Sequence, residues 1–165
     1  MLLCQCALTN IDIQIREPGP KDFKVLGELL IDQWDYHCNL DSVYYKNPPE
    51  NFNFKKVFID RLEKKVLVAV KKNKHIGFVV FEEGVDSHGD TKIRKFIEIL
   101  ELFVDKEYRG LGIGAQLLKA VEEKAGDLGY KWVKFYCSSF NTLALDFYDK
   151  SGYVERQRLY FKKLD

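Results

Sequence analysis

Residues 96–125 read FIEILELFVDKEYRGLGIGAQLLKAVEEKA, and this stretch decides the fold. Its beginning is mostly apolar and β-prone, which predicts a long strand over residues 95–104. Three glycines follow within five residues, and from Ile113 onward apolar side chains recur at helical spacing. The stretch therefore predicts a strand, a glycine turn and an amphipathic helix in direct succession.

The glycine turn combines two features that favour an anion. Gly110, Gly112 and Gly114 carry no side chains, so a ligand can approach the backbone closely. The helix that begins there presents unpaired N–H groups and the positive end of its dipole. Together these features predict a cradle for a pyrophosphate group.

Two other phosphate-binding loops fit the turn less well. A Walker A loop requires Gly-Lys followed by Ser or Thr, whereas Ala115 and Gln116 follow here. A Rossmann fingerprint requires an acidic residue at the end of the next strand, which instead reads Tyr-Cys-Ser-Ser over residues 136–139. A glycine turn that only starts a helix remains an open alternative.

The rest of the chain predicts one α/β domain over residues 11–165, with residues 1–10 as an irregular extension. The element order β-α-α-β-β-β-α-β-α-β is typical of a layered domain with a mixed sheet. The further predicted strands are 11–16, 66–71, 76–82, 132–137 and one or two over 153–163, and the further predicted helices are 21–37, 50–64 and 141–150.

The composition excludes several classes of protein. The chain has 165 residues with 26 basic and 25 acidic side chains, so its charge of +1 provides no basic field for nucleic acid. No run approaches the roughly 20 apolar residues of a membrane span. The four cysteines and three histidines fit no metal-ligand spacing, so we predict no metal. Reduced thiols predict a cytoplasmic protein.

Two motifs resemble those of the GNAT superfamily of acyl-CoA-dependent N-acetyltransferases. Arg109-x-x-Gly112-x-Gly114 is similar to motif A of that superfamily, and NTLALDFYDKSGY over residues 141–153 is similar to its closing motif. The resemblance covers nearly the whole of residues 11–163. It implies an α/β fold with a mixed, mostly antiparallel central sheet and a splayed parallel strand pair, flanked by about four helices.

The resemblance also implies acetyl-CoA as co-substrate, together with the residues that bind it. Its pantetheine would pair with the backbone of Phe103 and Val104, and Asn141 and Tyr148 would contact it. The N–H near Val104 would polarise the acetyl carbonyl. An alternative role for Asn141 is a plain helix N-cap. The pyrophosphate would lie on the amides of the turn, namely Arg109, Gly110, Leu111, Gly112, Ile113 and Gly114.

Acetyl transfer to an amine needs a base and an acid. An amine with a pKa near about 10.4 must lose a proton, and the departing thiolate must gain one. The resemblance implies Tyr148 as the acid, the alternative being a packing ring beside Phe147. The base is Glu101, Glu98, or a water or residue from the first helices. Strict alternation places the two glutamates on opposite faces unless the strand contains a bulge.

In that superfamily the first helices form the acceptor wall. Carboxylates beside aromatic rings suit a cationic amine, and here the wall would contain Asp32, Trp34, Asp35, Tyr36, Asp41, Tyr44 and Tyr45. The predicted acceptor is a small amine or the lysine or N-terminus of a peptide, unless these residues form an ordinary solvated face. An acyl-CoA-binding module without turnover is the alternative function. No nucleic acid or membrane partner is expected, and a homodimer, common in the superfamily, is compatible with the resemblance.

Overall fold

A five-stranded sheet with its strands in chain order forms the centre of the computed structural model, which describes residues 12–49, 52 and 65–164. The first three strand pairs are antiparallel and the last is parallel, so the predicted mixed sheet is confirmed. The strands are β1 Ile13–Arg16, β2 Lys65–Lys71, β3 Lys74–Val85, β4 Lys95–Val104 and β5 Val133–Phe135, and the α-helices are α1 Phe23–Leu40, α2 Ile113–Asp127 and α3 Thr142–Lys150.

Helices cover both faces of the sheet and give it two separate cores. On one face, Leu117 and Val121 of α2 pack among Ile97 and Ile99 of β4. On the other face, α1 packs against β2, β3 and the buried Phe103 of β4. We call these the α2 face and the α1 face. The amphipathic periodicity that predicted the helix after the glycine turn is confirmed by this burial.

Two predicted elements differ from the sequence expectation or lie outside the described residues. The helix expected over 50–64 and the extension over 1–10 fall almost wholly outside the described part of the chain. Residues 153–164 are described and contain no strand, so the expectation of one or two strands there is wrong. Their β-prone side chains include Tyr160 and Phe161, which are 81% and 72% exposed and gain no packing from a sheet.

A β-bulge in β4 decides where its glutamates point. Val80 of β3 lies opposite Glu101, whereas the next residue, Phe81, lies opposite Ile99, so Leu100 is an extra residue in β4. The extra residue reverses the alternation of side chains beyond it. Glu98 and Glu101 therefore share the α1 face, which settles the alternative that strict alternation left open.

The parallel strands β4 and β5 part after three paired positions. Their pairing runs from Ile97 with Val133 to Ile99 with Phe135, while β4 continues to Val104. The N–H of Asp105 donates a hydrogen bond to the C=O of Ile76 in β3. Because successive residues of a strand direct their N–H and C=O groups to opposite edges, those of Val104 point away from β3. We call the space beside residues 100–104, where β5 has departed, the strand gap.

None of the described helices combines the length and the apolarity that crossing a membrane requires.

A buried carboxylate fixes the start of α1 to the sheet. Asp22 is 7% exposed and accepts hydrogen bonds from Arg16 Nη1 of β1 at 2.6 Å and from the Gly19 N–H at 2.6 Å. Its other oxygen lies 2.7 Å from Nε2 of His75 in β3. The hydrogen bond from Arg16 is the main cause that holds the pKa of Asp22 far below its usual range.

We expect Asp22→Asn to lower the free energy of unfolding by about 1.5–3 kcal/mol at neutral pH, because charge-assisted hydrogen bonds are lost. The carboxylate contributes fully above the pKa of an unfolded aspartate, about 3.9, and progressively less below it. Denaturant unfolding of both proteins between pH 3 and 7 measures the difference. The exposed Asp90→Asn is the control. A difference that does not shrink towards low pH would contradict the assignment.

Candidate active site

The glycine turn leaves its backbone open to a ligand. Gly110 and Gly112 have φ of +76° and +75°, and no heavy atom lies within 4 Å of a Cβ built on either. Gly112 is also the N-cap of α2, and a glycine has no side chain with which to bond the first amides of the helix. The turn and the N–H groups of the first helical turn therefore fit a pyrophosphate.

Gly114 has a second role that sequence reasoning did not assign to it. A Cβ at Gly114 would lie 3.1 Å from Cζ of Phe147 in α3, which is tighter than ordinary packing. The absence of a side chain thus lets α3 pack closely on the start of α2. This contact places Asn141 and Tyr148, at the two ends of α3, beside the glycine turn and the strand gap.

Asn141 links three elements through one oxygen. Its Oδ1 accepts a hydrogen bond from the N–H of Ala144 at 3.3 Å, which is the N-cap of α3. The same oxygen accepts a hydrogen bond from the hydroxyl of Tyr36 in α1 at 3.0 Å. The N-cap role that the sequence left as an alternative is therefore present, and it coexists with a contact across the site.

Arg109 crosses the mouth of the strand gap. Its Nε donates to the C=O of Val104 at 3.0 Å, and its guanidinium lies 4.7 Å from the centre of the Tyr36 ring. The guanidinium is also 5.7 Å from the ring of Phe103. Val104 therefore offers its backbone to the gap, whereas Phe103 turns its N–H and C=O towards β3 and buries its side chain on the α1 face.

Tyr148 borders the strand gap from the α2 face. Its ring centre lies 4.3 Å from that of Phe135, the last residue of β5. Burial, with a smaller electrostatic effect from Cys137, raises the pKa of Tyr148 well above the ordinary tyrosine value. Within the described part of the chain its hydroxyl makes no hydrogen bond. The phenol therefore stays protonated at neutral pH and retains a proton that it can donate.

Glu101 borders the gap from the α1 face. Gln33 of α1, which is 3% exposed, donates from Nε2 to Glu101 Oε2 at 2.9 Å. The oxygen of the same amide, Gln33 Oε1, is buried and accepts no hydrogen bond from any described residue. Glu98 lies further back on the same face, where its carboxylate is 4.0 Å from Lys134 of β5. Glu101 is therefore the glutamate nearer to the gap.

Five aromatic rings follow one another beside Glu101, and three of them, Tyr36, Tyr44 and Tyr45, belong to the predicted acceptor wall, whereas His37 and Phe161 do not. The centres of Tyr36 and His37 are 6.1 Å apart, those of His37 and Tyr45 4.9 Å, those of Tyr45 and Tyr44 5.0 Å, and those of Tyr44 and Phe161 5.3 Å. We call this set the aromatic row. No local pattern predicts it, because Phe161 belongs to the far end of the chain.

Electrostatic effects connect the inner rings of the aromatic row with groups on either side of the strand gap. Burial lowers the pKa of His37, and the charge of Glu101 opposes that shift. Burial raises the pKa of Tyr45, with added contributions from Tyr44, Cys137, Asp41 and Glu101. Because Cys137 follows β5 and Glu101 lies in β4, the Tyr45 hydroxyl is within electrostatic range of both sides of the gap.

The predicted acceptor wall is only partly assembled. Tyr36 faces the site, but Asp32 and Asp35 are exposed, and Asp35 lies about 160° around the helix from Gln33. Trp34 packs against the α1-face core, with its ring centre 4.8 Å from that of Phe52. Among the described residues, no cluster of three or more His, Cys, Asp or Glu side chains could hold a metal ion.

A model of the acetyltransferase (GNAT) family matches residues 28–153 of this chain. The uncharacterized N-acetyltransferase MJ1207 of Methanocaldococcus jannaschii is 31% identical over 132 residues, which cover 80% of this chain and 58% of that relative. The chain thus spans little more than half the length of this relative. N-alpha-acetyltransferase 30 of Schizosaccharomyces pombe is 29% identical over 123 residues, which cover 74% of this chain and 79% of that protein.

Solved structures share the fold. A mutant of the BH1408 protein from Bacillus halodurans superposes with a TM-score of 0.83 at 21% identity, covering 92% of this chain and 99% of that one. The aminoglycoside N-acetyltransferase AAC(6')-Iy in complex with CoA has a TM-score of 0.71 at 17% identity, covering 92% and 94%. At these identities the likeness shows the fold alone.

Proposed function

This chain belongs to the acetyltransferase (GNAT) family, and on that premise we propose that it transfers an acetyl group from acetyl-CoA to a cationic primary amine, either a small molecule or an amine of a peptide. One observation carries the proposal. Glu101 and Tyr148 border the strand gap from opposite faces of the sheet. An amine can therefore lose its proton on the α1 face while the leaving group gains one on the α2 face.

The residues present fit the co-substrate. The left-handed turn at Gly110 and Gly112 and the first amides of α2 would hold the pyrophosphate of acetyl-CoA. The backbone of Val104 would hold the pantetheine, in the manner of an added strand. Because Arg109 Nε bonds to the C=O of Val104 in this structure, Arg109 would shift when a ligand takes that position.

Binding of acetyl-CoA should depend on the open turn. We expect wild-type protein to bind acetyl-CoA and not NAD in calorimetry, and Gly112→Arg to abolish binding. An arginine at a φ of +75° is strained, and its side chain would occupy the space above the helix N-terminus. Gly126→Arg is the matched control, because Gly126 is exposed, lies near the other end of α2 and does not have a left-handed φ. Normal acetyl-CoA binding by Gly112→Arg would contradict the cradle.

The reaction requires two proton movements that the chain can perform. Acetyl-CoA supplies an acetyl thioester, whose carbon–sulfur bond breaks as the amine nitrogen bonds to the carbonyl carbon. Glu101 accepts the proton that the ammonium group gives up before its nitrogen attacks. The Val104 N–H, which points into the gap, stabilises the negative charge that develops on the carbonyl oxygen. Tyr148 donates its phenolic proton to the departing thiolate, and the second proton that the nitrogen loses as the amide forms restores the phenol.

Removing the Tyr148 hydroxyl should slow turnover and leave binding intact. We expect Tyr148→Phe to lower kcat by about 100-fold, the usual contribution of a general acid, with acetyl-CoA affinity changed little. Tyr153→Phe is the matched control, because Tyr153 packs in the same cluster but its hydroxyl donates a hydrogen bond to Glu122 Oε1 at 2.7 Å. Free-thiol release measures the rate. Equal rates in Tyr148→Phe and Tyr153→Phe would remove Tyr148 from the acid role.

Replacing the proposed base should change the pH dependence. In Glu101→Gln the amine must arrive already deprotonated, so kcat/KM should rise with pH towards the amine pKa of about 10.4. The acidic limb of the profile should therefore move to higher pH than in wild type. Glu98→Gln, on the same face but beside Lys134, should keep the wild-type profile. An unchanged profile in Glu101→Gln would exclude Glu101 as the base.

A further inference from the structure

The aromatic row leads from solvent to the proposed base. Its outer members, Phe161 and Tyr44, are 72% and 57% exposed. Its inner members, Tyr45 and His37, are partly buried and interact electrostatically with Glu101. Aromatic side chains of this kind give the apolar part of a ligand a long contact surface, and ordering them costs little conformational entropy.

The inner end of the row is built for a single nitrogen. The carboxylate of Glu101 can pair with one ammonium group, and the buried Gln33 Oε1 lacks a donor among the described residues. A ligand N–H that reached Gln33 Oε1 would satisfy that oxygen. Gln33 Oε1 and the carboxylate oxygens of Glu101 lie on neighbouring side chains, because Gln33 Nε2 donates a hydrogen bond to Glu101 Oε2 at 2.9 Å.

Fixed positive charges accompany the rest of the row. The guanidinium of Arg109 already lies on the ring of Tyr36 at the inner end. Lys162 and Lys163 directly follow Phe161 at the outer end. Asp41 uses its carboxylate to accept the N–H groups of Val43 and Tyr44 at 3.1 and 3.2 Å. Asp41 is thereby held beside Tyr45 by backbone hydrogen bonds, whereas a second positive charge on an acceptor would meet Arg109 at the inner end of the row or Lys162 and Lys163 at the outer end.

We propose that the acceptor is a primary monoamine with an aromatic or bulky apolar body, whose ammonium group binds at Glu101 and whose body lies along the aromatic row. The proposal rests on the proposed function and narrows its cationic amine to a single positive charge. A free arylalkylamine and a peptide N-terminus with an aromatic first side chain share this chemistry. Polyamines and other polycations lack it.

A panel of matched amines tests the proposal through thiol release from acetyl-CoA. We expect kcat/KM for phenethylamine to exceed that for ethylamine about tenfold or more, because only phenethylamine reaches the aromatic rings. Butylamine should exceed 1,4-diaminobutane, which differs by one added charge. Phenylalanyl-alanine amide against glycyl-alanine amide tests the peptide source. A preference for the aromatic member in the free-amine pair identifies a small-molecule acceptor, and one in the peptide pair identifies a peptide N-terminus. A preference in both pairs means that both kinds of amine are accepted.

Two variants test whether the aromatic row causes the preference for aromatic amines. Tyr45→Leu should lower the ratio of kcat/KM for phenethylamine to kcat/KM for ethylamine about tenfold. Tyr160→Leu is the control, because Tyr160 is 81% exposed and is not a member of the row. The proposal would be overturned if kcat/KM for 1,4-diaminobutane equalled that for butylamine, or if aromatic amines were not preferred. Either result would leave the acetyltransferase function intact.

Failure of the proposed function gives a different result. If acetyl-CoA binds but no amine on the panel releases thiol, the transferase proposal fails, and the row is tested by binding alone. Phenethylamine is then titrated against the tyrosine NMR signals of the wild type and of Tyr45→Leu. Saturable binding that Tyr45→Leu abolishes would support the row as an amine site. No saturable binding in the wild type would overturn it.

Discussion

The early parting of β4 from β5 is the constraint on which the candidate site depends. Two parallel strands that pair at only three positions leave the last residues of β4 with backbone groups aimed at open space. The opposite edge of β4 remains paired with β3 as far as Val104, so β4 stays in the sheet while β5 departs. A ligand can therefore pair with a rigid edge inside the domain, without the aggregation risk of an exposed sheet edge.

Close packing between helices supplies the other wall of the gap. Gly114 lets the ring of Phe147 approach the first turn of α2, and α3 then carries Asn141 and Tyr148 to the side that β5 has left. The same α2 turn presents its amides beside Gly112. One short stretch of backbone thus places the proposed pyrophosphate site and the Tyr148 phenol close together.

Electrostatics differs between the two faces of the gap. The α2 face holds a phenol whose proton is retained by burial, in a surrounding of aromatic rings. The α1 face holds a carboxylate that accepts a hydrogen bond from Gln33 and lies near a histidine whose pKa burial lowers. The sheet keeps the proposed proton donor and the proposed proton acceptor apart, on its two faces.

The sequence alone determined the strand, glycine turn and helix over residues 95–125 and the mixed sheet, because these follow from local periodicity and backbone freedom. Tyr148 became a candidate acid through the resemblance to the GNAT superfamily, and Glu101 was one of several candidate bases. Tertiary structure alone decided that the bulge at Leu100 turns Glu101 to the α1 face, that residues 153–164 form no strand, and that the aromatic row assembles. Gln33 and Glu101 are 68 residues apart and Tyr36 and Asn141 are 105 apart. Contacts at such separations arise from how helices pack on the sheet, and no local pattern in the chain encodes them.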